Sequence, residues 1–107
     1  MPKRLFISQP MRDKTNEQIE KEREAAIKSV KEKYGDDIEV VDSFFKDAPH
    51  DARPLWFLAQ SLAKLSTADV AYFCKDWENY RGCRIEHTCA AEYGIDVIES
   101  YKEDSDD

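Results

Sequence analysis

The stretch "DVAYFCKDWENYRGCRIEHTCAAEYGIDVIES", residues 69–100, decides the fold. It opens on the short apolar run "DVAYF" (69–73) and closes on "IDVIES" (95–100), which is rich in β-branched residues. Runs of that length bounded by turn residues read as buried strands. Between them a loop, "CKDWENYR", leads into a helix that starts near Gly82 and stops at Gly94. Two strands joined by a helix form a parallel crossover unit.

The same alternation extends toward the N-terminus. "RLFIS" (4–8), ended by "QP", reads as a first strand, and "TNEQ" (15–18) fits a capping box with Thr15 as N-cap. Ile19, Ala26, Ile27, Val30 and Tyr34 follow at helical spacing up to Gly35, a candidate left-handed cap. "IEVVD" (38–42) is the second strand, and "FFKDAPHDARP" is a loop with Asp51 as candidate N-cap. A helix from about Pro54 to Leu65 carries Leu55, Leu58, Leu62 and Leu65 as one stripe. Four strands alternating with three helices imply an α/β three-layer fold with a small, mostly parallel, flavodoxin-like sheet. Right-handed crossovers favour strand order 2-1-3-4. Residues 1–100 form the expected domain, and the acidic tail "YKEDSDD" (101–107) is expected to fray.

A 107-residue chain can bury roughly 65% of the surface its unfolded form exposes, so it needs no disulfide or metal to fold. Hydrophobic residues at 41% and charged residues at 36% are a globular composition. The net charge of −7 repels nucleic-acid backbones and anionic membranes, so any phosphate must be held by a local site. No run approaches the ~20 apolar residues of a membrane span. The start "MPKRLFISQP" has an apolar run too short for a signal peptide. Cys74, Cys83 and Cys89 are odd in number and lack framework spacing, which points to a reducing cytoplasm. The thiols then read as small buried hydrophobes.

In a sheet of this order ligands bind beyond the carboxyl ends of the strands where the order reverses, here between strands 1 and 3. Strand 1 delivers Ser8, Gln9, Met11 and Arg12 there, strand 2 delivers Asp42, and strand 3 delivers Trp77, Asn79 and Arg81. Gly82 and Glu86 open the third helix at the same end. Glu86 fits two readings: a first-turn carboxylate that complements the helix dipole, or a group aimed at a ligand. Either way the helix terminus favours its ionised form. Trp77 covers the core edge or offers a ring for stacking. Cys83 and His87 share a helix face, but Cys89 points elsewhere and a fourth ligand is missing, so neither a metal site nor a cofactor is expected.

Taken together, "FISQPMR", "LSTADVAYF" and "RGCRIEHTCAAEYGIDVI" resemble the nucleoside 2-deoxyribosyltransferase-like family, in particular its small bacterial and phage members. The resemblance spans nearly the whole chain. Gly82 and Glu86 match that family's glycine and the glutamate four residues on. In the family's enzymes this glutamate is the nucleophile that attacks the anomeric carbon and holds the sugar covalently. An oxocarbenium-like transition state suits a carboxylate beneath it. The departures are Ser61 and Tyr80, where the enzymes carry aspartates, and Phe6, where a tyrosine is often present.

The resemblance implies an N-glycosidic-bond enzyme, a deoxyribosyltransferase or N-hydrolase, acting on a (deoxy)nucleoside or its monophosphate. Glu86 would be catalytic. Asn79 and Ser61 would fix sugar or base, and Ser8, Gln9 and Arg81 would hold hydroxyls or a phosphate. The alternative is a non-catalytic nucleotide-binding module of the same fold. A homo-oligomer is expected, because the resembling enzymes complete their pockets with a neighbouring chain.

Overall fold

The computed structural model describes residues 2–10, 14–41 and 48–100. Strand β1 (Lys3–Ser8) is central, and its burial deepens toward the carboxyl end, where Leu5 through Ser8 are all buried. It pairs in parallel with β2 (Ile38–Val40) on one side and with β3 (Val70–Phe73) on the other. β4 (Asp96–Glu99) pairs in parallel with β3, so the order is β2-β1-β3-β4 as the crossover rule requires. Both central strands are buried on two faces, which explains their continuous apolar runs.

Side chains alternate across the sheet and build two cores. Leu5, Ile7, Val70, Tyr72 and Ile98 face one side, against Ala26 and Val30 of α1 (Asn16–Tyr34). Phe6, Ala71 and Phe73 face the other, against Leu65 of α2 (Pro54–Leu65) and Cys83 and Ala90 of α3 (Arg81–Glu92). The expected capping box is present: Thr15 accepts from the Gln18 backbone N–H, and the Gln18 side chain accepts from the Thr15 N–H. Gly35 ends α1 at φ 96°. Its ψ of 175° lies outside the left-handed helical region, so the cap is extended instead of the expected αL form.

The second helix departs from expectation at its start. Arg53, with no side-chain cap bond, is its N-cap, while Asp51 sits in the preceding turn. Pro54 explains this, since its fixed φ and missing N–H suit the first helical position whatever precedes it. The leucine stripe is also graded, from Leu55 at 73% exposure to Leu65 at 2%. Leu55 therefore leaves the core stripe. α3 starts at Arg81, one residue before the expected Gly82. Cys74 and Cys83 are buried, Cys89 is half-buried, and all three are free thiols. Among the described residues no helix is long and apolar enough to cross a membrane. Residues 101–107, the expected tail, lie outside the described residues.

Candidate functional site at the carboxyl ends of β1 and β3

Pairing register brings the site together. Ser8 is opposite Phe73, and Phe73 is opposite Glu99, so these three form one row across the carboxyl end of the sheet. The row lies beneath α3. Ser8 donates a 2.6 Å hydrogen bond from Oγ to Oε1 of Glu86, across 78 residues of sequence. Ser61, on α2, is near enough to the same carboxyl group to lower its pKa. The Cys83 thiol lies one turn before Glu86, where the Ser8 hydroxyl lowers its pKa. Strand end and two helices thus converge on one carboxylate.

Glu86 is only 8% exposed. Burial pushes its pKa above the usual carboxylate value, and the Ser8 and Ser61 hydroxyls pull it partly back. Burial thus works against the ionised form that the helix terminus was expected to favour. Burial likewise lifts the Cys83 thiol to about 11, with the Ser8 hydrogen bond opposing, so this cysteine is a poor nucleophile near neutral pH.

Gly82 stands four residues before Glu86, on the same face. Helical side chains lean toward the N-terminus, so the Glu86 side chain lies over the turn that Gly82 leaves bare. Among the described residues nothing requires this glycine. An added Cβ would meet no atom within 4 Å, and its φ is not in the positive range. A glycine inside a helix weakens it.

Around the start of α3, Asp76, Asn79, Tyr80, Arg81, Gly82 and Arg84 line a polar cavity of about 780 Å³. Tyr80 is the N-cap and makes no side-chain cap bond, and no acidic residue stands in the first turn. The positive end of the helix therefore faces this cavity. Asn79 and Arg81 are exposed there, whereas Arg84 donates from Nη1 to the Glu78 carbonyl at 2.8 Å.

The remaining candidates divide. Gln9 is buried on the α1 side, where its amide donates to the Ile19 carbonyl at 2.8 Å and to Glu22 at 3.1 Å. It buttresses β1 against α1. Trp77 resolves to the core reading: it is buried, lies 5.6 Å from the Phe73 ring and stacks flat on His87 at 4.2 Å. Met11, Arg12 and Asp42 lie outside the described residues.

Sequence reasoning weighed His87 only as a metal ligand and passed over Glu99; their side chains meet at 2.8 Å. Strand alternation alone could not find this pair, because Glu99 faces α3 only through the β3–β4 register that sets it beside Phe73. Among the described residues no group of three or more potential ligands could hold a metal ion.

No protein-family model matches the chain, and neither the curated proteins nor the solved structures yield a significant match.

Proposed function

We propose that the crevice takes a (deoxy)nucleoside or its monophosphate, and that Glu86 attacks the anomeric carbon to break the N-glycosidic bond. The observation that carries this reading is a single buried carboxyl group bonded to Ser8 at the end of β1, above the bare turn of Gly82. The ionised carboxylate forms a C–O bond as the C–N bond breaks. The departing base keeps the electron pair and takes a proton from solvent or a nearby donor. Water or a second base then displaces the carboxylate, which returns to its starting state. A carboxylate stripped of water is less stabilised and so more nucleophilic once ionised. Arg81 and the α3 terminus suit a 5′-phosphate at the polar cavity, because guanidinium forks and helix N-termini both favour oxyanions.

One observation favours the non-catalytic alternative. The groups that lower the Glu86 pKa are two hydroxyls, where acid chemistry would be served by a second carboxyl group. A buried glutamate among hydroxyls is also a good acceptor for sugar hydroxyls. The same reading includes a cytoplasmic location and a homo-oligomer, the latter supported by Leu55 and Phe57 exposed on α2.

The test is to incubate the protein with deoxynucleosides and their monophosphates and to separate free base by chromatography. Base release that Glu86→Gln abolishes supports the enzyme. Ligand-induced thermal stabilisation without base release supports the binding module. Absence of both removes the nucleoside reading altogether.

A further inference from the structure

We propose that His87 and Glu99 are positioning residues: they hold Trp77 in a proton-dependent clamp that sets the placement of Asn79 and Arg81 on the cavity wall. The segment joining β3 to α3 is balanced between opposing terms. Asp76 has φ 73° and ψ 11°, a left-handed backbone that a residue with a Cβ adopts at a cost. Trp77 is the buried side chain of the 3₁₀ turn Trp77–Asn79, and its Nε1 is buried without a hydrogen-bond partner among the described residues. An unmet buried donor also opposes docking.

What holds the segment down is the indole itself. Its ring lies parallel to His87, with 4.2 Å between centroids and 4° between planes, and packs on Phe73. His87 in turn meets the Phe73 ring edge-on at 4.8 Å and bonds through Nε2 to Glu99 Oε2 at 2.8 Å. A protonated imidazole makes this bond an ion pair and places a cation over the indole face. A neutral ring keeps a hydrogen bond to the carboxylate without the ion pair, and a plain stack. Lower pH therefore tightens the clamp, and higher pH loosens it.

Among the described residues, these groups face the ring. β4 presents Glu99, β3 presents Phe73, and the 3₁₀ turn presents Trp77. On α3, Arg84 is engaged with the Glu78 carbonyl and Glu86 is turned to Ser8. Backbone bonds carry the state of Trp77 onward. The Tyr80 N–H donates to the Trp77 carbonyl at 3.1 Å, and the Asn79 N–H to the Asp76 carbonyl at 3.0 Å. Asn79 and the start of α3 at Arg81 thus follow Trp77.

The experiment needs no ligand, so its outcome is independent of the nucleoside reading. In a Trp56→Phe background Trp77 is the single indole, and its acrylamide quenching is followed from about pH 5 to about pH 8.5, the range in which histidine changes charge. The expected result is a several-fold rise in quenching with pH, flattened in His87→Gln and in Glu99→Gln, with circular dichroism unchanged. The Trp77 indole N–H resonance and the backbone amides of Asn79 and Arg81 in the unsubstituted protein give the same readout should Trp56→Phe fail to fold. Quenching and amide shifts that ignore pH, or that respond equally in His87→Gln, would overturn the proposal.

Discussion

Replacing Glu86 with glutamine tests the electrostatics of the site before any ligand is known. In the folded protein burial raises the carboxyl pKa above its ordinary value of 4.5, against the opposing Ser8 and Ser61 hydrogen bonds. The folded state therefore holds this proton more tightly than the unfolded chain does. The contribution of this group to stability is complete below about pH 4.5 and is lost as pH rises through the raised value. Glutamine has nearly the same shape, keeps an acceptor for the Ser8 hydroxyl, and never ionises. Glu86→Gln should match the parent protein within about 1 kcal/mol near pH 4, where both side chains are neutral. It should exceed the parent increasingly as pH rises through the raised value, and the difference should level off above it. Each tenfold difference in proton affinity is worth about 1.4 kcal/mol, or roughly 6–11 °C in Tm for a chain of this size. The assay is a pair of thermal melts followed by circular dichroism at several pH values, and only the difference between the two proteins is read. A variant less stable than its parent at every pH, or a difference that does not change with pH, would refute the desolvation argument. The carboxylate would then be solvated or held by a cation.

Ser8→Ala removes the 2.6 Å bond to Glu86 and should cost about 1.5–3 kcal/mol at neutral pH, with a smaller loss near pH 4, as denaturant titrations at the two pH values would reveal. A pH-independent loss would mean that Ser8 matters only for packing. Gly82→Ala should be neutral or stabilise the free protein by up to about 1 kcal/mol, since the added methyl meets nothing, yet weaken or abolish the binding of nucleotide probes. Undiminished binding would remove the case for close approach at this turn. Light scattering at high micromolar concentration should find a dimer or larger assembly, and Leu55→Glu with Phe57→Glu on α2 should shift it to monomer; a monomeric parent protein defeats the oligomer reading.

The alternation of short apolar runs with helical segments was enough to establish the fold class and the strand order. Handedness of crossovers leaves little choice once four strands and three helices are in sequence. The capping box at Thr15 was equally legible, because its bonds join residues three apart. Strand order also placed Ser8 and Glu86 at one end of the sheet. Local pattern could not say that they touch. The 2.6 Å bond, the approach of Ser61 and the exclusion of water that lifts the Glu86 pKa all depend on α2 and α3 packing over one row of the sheet. The role of Trp77 was undecidable for the same reason: an indole after a strand suits a core edge or a ligand face, and only the stack on His87 selects the core. His87 was read only as a possible metal ligand and Glu99 drew no reading, because a contact between a helix and a distant strand leaves no local pattern. Their pairing depends on the β3–β4 register, which puts Glu99 beside Phe73 and beneath α3. Periodicity along a chain determines which face each residue takes; the distances between faces, and hence burial and charge, belong to the assembled layers.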